Sequence, residues 1–260
     1  MGELWFVGLG LGDERGLSVR ALDLLRAADR VLAEEYTAAA PEGTLDRLAR
    51  AIGRPIERLE RPILESERPI LDALEGERRV ALLVVGDPFA ATTHVALRVA
   101  AEAAGHSWRY VPNASILTAA AGLLGLMHYR FGRTVSLPFP ATGFEPRSPL
   151  EWIAGNRGRG LHTLVLLDLD PGRGRFLTAN EAFTILRDRD PEGVAVPEEA
   201  TVAVAARVGR DDEAGFAGPF GGMRFIDFGP PMHVVVVAAP DLHFEEEAAL
   251  RRYRLPSRPV

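Results

Sequence analysis

The sequence predicts an α/β protein of two domains, the second built on a mixed sheet. Three observations carry that reading. The run Val80–Val85 is apolar at every position, as a parallel strand covered on both faces is, where a half-solvated strand would alternate. Strand-like and helix-like patterns alternate regularly over residues 1–112, the sequence signature of βαβ units. Beyond that point three strand-like runs, near 201–206, 214–219 and 233–238, are separated only by turns, as in an antiparallel or mixed sheet.

Taken in order, Leu4–Val7 reads as a short strand broken by Gly8-Leu9-Gly10-Leu11-Gly12. Ser18 then caps a helix whose apolar residues recur at helical spacing to Ala28, and Val31–Ala33 is the second strand. Thr44 opens an amphipathic helix that Gly53 stops, and Ile63–Glu75 carries helical periodicity. After the strand at 80–85 comes Gly86-Asp87-Pro88, then an alanine-rich helix over 92–104 and a strand at 108–111. A domain boundary is placed at Pro112-Asn113, giving domains of 1–112 and 113–260. In the second domain, Ser115–Leu126 predicts a helix and 134–137 a strand, followed by a proline-punctuated loop over 138–150. A short helix at 152–156, a buried strand at 161–168, a capping box from Thr178 to Glu181 and a charged helix at 243–253 complete it.

Composition narrows the function. With 47% hydrophobic and 25% charged residues, the 260-residue chain has globular values and disorder is not expected. Cysteine is absent, which excludes disulfides, thiolate metal sites and thiol nucleophiles. A formal charge of -6 and a pI near 5.6 argue against nucleic acid as the main ligand. Lysine is absent and every basic residue is arginine, a bias that base composition explains as well as function does. No apolar run reaches the roughly 18 residues of a membrane span, and Met-Gly-Glu-Leu-Trp has no basic leader, so a soluble cytoplasmic protein is expected.

Candidate sites are weighed by their chemistry. The turn Gly8-Leu9-Gly10-Leu11-Gly12 misses the dinucleotide fingerprint, because its third glycine would fall at Asp13. A nicotinamide-dependent oxidoreductase is therefore a lesser alternative, and a non-catalytic partner-binding module is supported only by the arginine-rich ends. The six histidines have no zinc-like spacing. Ser115 lacks a nucleophile elbow, and Asp87, Asp168 and Asp170 form a cluster only if their strands are neighbours. Gly86-Asp87-Pro88, at a buried strand's carboxyl end, stands where α/β sheets bind ligands.

Several stretches together resemble one family. Phe6-Val7-Gly8-Leu9-Gly10-Leu11, Gly86-Asp87-Pro88 with Ala91-Thr92-Thr93-His94, and Gly160-Leu161-His162-Thr163-Leu164 with Leu167-Asp168 are similar to the diphthine synthases. So are Ala33-Glu34-Glu35-Tyr36-Thr37, Thr178-Ala179-Asn180-Glu181-Ala182 and Pro230-Pro231-Met232-His233. That family is of the tetrapyrrole methylase class, and a tetrapyrrole methyltransferase is the alternative within it. The resemblance implies a homodimer of two α/β domains with S-adenosyl-L-methionine folded in the cleft between them. It places Leu11, Asp87, Ala90, Ser115, Ile116, Leu167, Val208 and His233 as cofactor-binding residues, with no metal and no dedicated nucleophile. The implied substrate is the amino group of the 3-amino-3-carboxypropyl-histidine of translation elongation factor 2. His94 or His162 is available to relay a proton, though neither is required.

Overall fold

The computed structural model describes residues 1–34, 38–59, 68–141 and 146–253. Glu35, Tyr36 and Thr37, the start of the helix expected from Ile63, residues 142–145 of the proline-rich loop and the terminal Arg254 and Arg258 lie outside the described residues. The chain divides into two compact units, Met1–Leu117 with Asp170–Gly174, and Thr118–Leu169 with Arg175–Val260.

The first unit holds a five-stranded sheet of β1 (Glu3–Gly10), β2 (Arg30–Glu34), β3 (Glu57–Leu59), β4 (Arg79–Val85) and β5 (Ser107–Val111). Its order is β3-β2-β4-β1-β5, and every neighbouring pair is parallel. The helices are α1 (Val19–Ala27), α2 (Thr44–Ile52), α3 (Arg68–Gly76) and α4 (His94–Ala103). Alternate residues of β1 explain why the strands read as unbroken apolar runs. Trp5, Val7 and Leu9 pack with Leu25 of α1 and Leu48 of α2, while Leu4 and Phe6 pack with Ile70 and Leu74 of α3 and Leu97 and Ala101 of α4. Both faces are covered, so no position along the strand has a solvated side to leave polar. Burying Leu, Phe or Val contributes about 1.5–3 kcal/mol per side chain.

The local signals hold the helix ends. The Ser18 hydroxyl accepts the Ala21 N–H at 3.1 Å and caps α1, and Gly53, in the left-handed region at φ 71°, closes α2. The helix expected from position 92 begins instead at His94 with Thr93 as its cap residue, because the Thr92 side chain is engaged with Pro88.

In the second unit come α5 (Ile116–Leu124), which begins in the first, β6 (Val135–Leu137), α6 (Ser148–Arg157) and β7 (Thr163–Leu167). Next are the two-residue strands β8 (Leu169–Asp170) and β9 (Arg175–Phe176), then α7 (Ala179–Arg189), β10 (Thr201–Ala206) and β11 (Ala214–Pro219). The single turn α8 (Phe220–Met223), β12 (His233–Val237) and α9 (Phe244–Arg251) end the described chain. The sheet runs β11-β10-β12-β7-β6. Its first three pairings are antiparallel and β6–β7 is parallel, so the sheet is mixed. Val165, Val202, Val204, Val235 and Val237 present one face to Ile153 of α6 and Phe183 and Leu186 of α7. Thr178 and Glu181 form the capping box at the start of α7. The helix expected at 152–156 is longer, because Pro149 fits its first turn, where no backbone donor is needed.

Candidate functional site

In the first unit the topology itself selects an edge. β1 and β4 are neighbours, yet the chain leaves β1 for α1 on one face and leaves β4 for α4 on the other. Their carboxyl ends therefore diverge, and in open α/β sheets this switch point is where ligands bind. Leu11 lies in the first of the two loops, Asp87 and Ala90 in the second. The loops are joined by a reciprocal pair of main-chain bonds, Gly10 N–H to Gly86 O at 3.1 Å and Gly86 N–H to Gly10 O at 2.8 Å. Gly10 and Gly86 have φ of 83° and 81°, values that glycine alone adopts without strain. At Gly8 a side chain has no room: a Cβ would stand 2.7 Å from Asn113 Cβ and 2.8 Å from Gly86 O.

The Asp87 carboxylate faces inward and is 8% exposed. One oxygen accepts the Phe89 N–H at 3.0 Å, and the other accepts the Tyr110 hydroxyl at 2.6 Å and the Asn113 N–H at 3.1 Å. Burial, with Asp87's bond and charge adding to it, pushes the Tyr110 hydroxyl up to about 12. Asp87 thus spends its acceptors on the protein and fixes the course of the loop. Asn113 extends the brace. Its amide donates to Gly8 O at 2.9 Å and Gly16 O at 3.1 Å, and its side-chain oxygen accepts the Ala114 N–H at 2.8 Å. Ser115 and Ile116 follow directly, with the Ser115 hydroxyl accepting the Leu117 N–H at 3.2 Å at the start of α5. Asp87 and Asn113 thus tie the two loops to the segment that leads into Ser115 and Ile116. Asn113 carried no weight in the sequence beyond marking a boundary, and a lone Asn after a strand gives no signal that it ties three loops.

The second unit brings Leu167, Val208 and His233 to a single sheet edge. Leu167 ends β7, Val208 follows the end of β10, and His233 starts β12, which runs antiparallel to both. The register pairs Ala206 with His233 and Leu166 with Val234. His233 is 8% exposed and both ring nitrogens are engaged: Nδ1 accepts the Ala179 N–H at 3.2 Å, and Nε2–H donates to Pro230 O at 3.0 Å. Burial lowers its pKa, so the ring is neutral near pH 7. Arg207, with a left-handed φ of 52°, donates to Phe228 O at 2.9 Å and Pro230 O at 2.6 Å and pairs with Asp212 at 2.8 Å. It staples the turn holding Val208 to the segment that leads into His233. The sequence hid it, since one arginine among thirty basic residues has nothing to distinguish it.

His162 belongs to a different structure within this unit. Its Nδ1 accepts the Ala239 N–H at 3.0 Å, and its Nε2–H donates to Glu246 at 3.0 Å. Glu246, at 0% exposure, also receives the Met127 N–H at 2.9 Å, the His243 N–H at 3.0 Å and the Arg130 guanidinium. Burial alone would raise the Glu246 carboxyl, but these N–H donors and His162 outweigh it and hold it below its usual range. With both nitrogens committed, His162 ties α9 to β7 and has no ring atom left for a relay. The Asp168 carboxylate accepts the Phe139 N–H at 3.1 Å and the Leu169 N–H at 3.0 Å. Among the described residues no group of three or more His, Asp or Glu side chains is placed to hold a metal ion, and no helix is long and apolar enough to cross a membrane.

Two divergent strand ends bridged by glycines, above a parallel sheet that is followed by a mixed one, are the architecture of one class. Residues 3–223 match the family model of Tetrapyrrole (Corrin/Porphyrin) Methylases, and the chain belongs to that family. Within it, the relatives are diphthine synthases. The chain is 38% identical over 254 residues to the Diphthine synthase of Methanocella arvoryzae, covering 95% of this chain and 96% of that protein. It is 40% identical over 247 residues to that of Methanothermobacter thermautotrophicus, covering 94% and 92%. Among solved structures, a crystal structure of diphthine synthase superposes with a TM-score of 0.88 at 34% identity, over 97% of this chain and 96% of that one. A putative diphthine synthase from Entamoeba histolytica gives 0.87 at 33% identity, over 98% and 100%.

Proposed function

We propose that the protein is an S-adenosyl-L-methionine-dependent methyltransferase of diphthamide biosynthesis, methylating the amino group of the 3-amino-3-carboxypropyl-histidine of translation elongation factor 2. The observation that carries this reading is the full-length similarity to diphthine synthases at 38–40% identity in the two relatives above. The residues present suit the cofactor. The first unit's edge carries Gly10, Gly86, Ala90 and Ala114, whose small or absent side chains let a ligand approach the main chain closely. Leu11, Asp87, Ala90, Ser115 and Ile116 from the first unit and Leu167, Val208 and His233 from the second are the residues that would hold it.

When bound, S-adenosyl-L-methionine supplies a methyl group already activated by its sulfonium. The protein's own part is to align and enclose. Alignment of reactants removes about 7–11 kcal/mol of a barrier, so a rigid loop set by Asp87 and Asn113 matters more than a nucleophile. A homodimeric state and a cytoplasmic location belong to the same reading, and sedimentation equilibrium distinguishes a dimer from a monomer.

The deciding experiment is mass spectrometry of elongation factor 2 carrying the unmethylated intermediate, after incubation with protein and cofactor. Mass increments of whole methyl groups on the modified histidine are expected, and their number counts the rounds. No increment, with methyl incorporation into a porphyrin precursor instead, would assign the protein to the tetrapyrrole branch.

A further inference from the structure

The sheet edge that carries Leu11, Asp87 and Ala90 also carries a buried pair the cofactor residues leave unused. Glu34 ends β2 and His94 begins α4, and their side chains are 0% and 3% exposed. His94 Nδ1 lies 2.7 Å from Pro88 O, the same carbonyl that accepts the Thr92 hydroxyl at 2.9 Å. A carbonyl only accepts, so Nδ1 carries the proton. Nε2 then points away from the loop, 3.8 Å from a Glu34 carboxylate oxygen, with no hydrogen-bond partner of its own.

The other buried histidines do not share this place. His162 and His233 have both ring nitrogens bonded, and His106, whose Nδ1 accepts the Gly2 N–H at 3.1 Å, stands at the amino end of the first sheet. The loop that His94 grips is clamped at two points. Asp87 fixes one through Phe89, Tyr110 and Asn113, and Thr92 with His94 fixes the other at Pro88 O. Between the clamps and α4 lies Ala91 at φ 58°. A left-handed alanine is strained, and such a residue persists only where its surroundings over-determine it.

We propose that His94 is a positioning residue for the cofactor loop Gly86–Ala91, acting through the Pro88 carbonyl. The proposal rests on the methyltransferase reading for the identity of the ligand, and on the geometry alone for the loop. His94 does not touch the reacting atoms in this role. It sets the course of the main chain at Phe89, Ala90 and Ala91.

The test uses the full chain and two variants. In His94→Asn the side-chain amide sits near the old Nδ1 and still donates to Pro88 O, whereas His94→Leu keeps bulk and loses the donor. Calorimetry with S-adenosylhomocysteine should give His94→Asn an affinity within about threefold of wild type and His94→Leu one weaker by roughly tenfold or more. Turnover at saturating cofactor should be alike in wild type and His94→Asn. Without any ligand, the amides of residues 89–93 should exchange faster in His94→Leu than in wild type, with His94→Asn restoring protection. Wild-type affinity and exchange in His94→Leu would overturn the proposal. So would loss of turnover in His94→Asn at unchanged affinity, which would make Nε2 a proton acceptor. If the wild-type protein itself binds no S-adenosylhomocysteine, the methyltransferase reading fails, and the exchange data still decide whether His94 holds the loop.

Discussion

Glu246→Gln isolates the charge of a carboxylate on which four donors converge: His162 Nε2–H, the Met127 and His243 N–H groups and the Arg130 guanidinium. The substitution preserves volume, so packing is retained and only polar interactions change. A glutamine amide offers one acceptor oxygen and places two N–H groups where the second oxygen stood. Two of the four donors keep an acceptor and two face another donor. Bonds to a charged group contribute about 1.5–3 kcal/mol each, so two of them amount to about 3–6 kcal/mol. Breaking a buried ion pair from one side costs about 3–5 kcal/mol, which describes the same loss from the side of Arg130. A destabilisation of about 4 kcal/mol is expected, and at roughly 2–4 °C per kcal/mol this lowers Tm by roughly 8–16 °C. Thermal unfolding followed by circular dichroism near neutral pH measures it. The double variant Glu246→Gln/Arg130→Met relieves the stranded guanidinium and should lose less than the single one. A single-variant loss below about 1 kcal/mol would refute the view that this network holds α9 in place.

Three further outcomes follow from the same structure. Burial depresses the pKa of His162 and of His233, and Glu246 is held low by its donors. The unfolded chain therefore takes up protons first, and stability present near neutral pH is lost as pH falls below about 6.5, with a second loss below about 4.5. Urea midpoints unchanged between neutral pH and pH near 5 would contradict the histidine contribution. Gly8→Ala forces its Cβ against Asn113 and Gly86 O. It should cost about 1–3 kcal/mol of stability and weaken S-adenosylhomocysteine binding, and calorimetric affinity equal to wild type would show that the strand end tolerates the shift. Asn113→Asp exchanges the donor held on Gly8 O and Gly16 O for an acceptor and adds a charge beside Asp87. It should reduce that affinity roughly tenfold or more, with little change if the tie is dispensable.

Much of the fold was legible because each segment's local signal agreed with its environment. Val80–Val85 is apolar throughout because α3 and α4 cover one side of the sheet and α1 and α2 the other. Ser18 and the Thr178–Glu181 box announce their helices because they satisfy backbone donors locally. The candidate site was legible only in part. Gly86-Asp87-Pro88 stands out by its residue types, but Asp87's partners, Tyr110 and Asn113, lie 23 and 26 residues away, and no local rule links them. Arg207 was hidden for a similar reason, since its three carbonyl partners Asp212, Phe228 and Pro230 come together only when the sheet forms. His94 and His162 looked alike in sequence. The difference between them is that one ring nitrogen of His94 remains unbonded while both of His162 are engaged, a property of tertiary placement.

The reciprocal bonds between Gly10 and Gly86 also bear on how such a scaffold diversifies. A cradle made of peptide groups is indifferent to side-chain drift around it, provided that no side chain is added where none fits. Side chains around it can change while the peptide groups keep their places. Its design is a set of omissions: at Gly8 an added atom would meet Asn113 and Gly86 O, and at Gly10 and Gly86 the backbone itself favours no side chain.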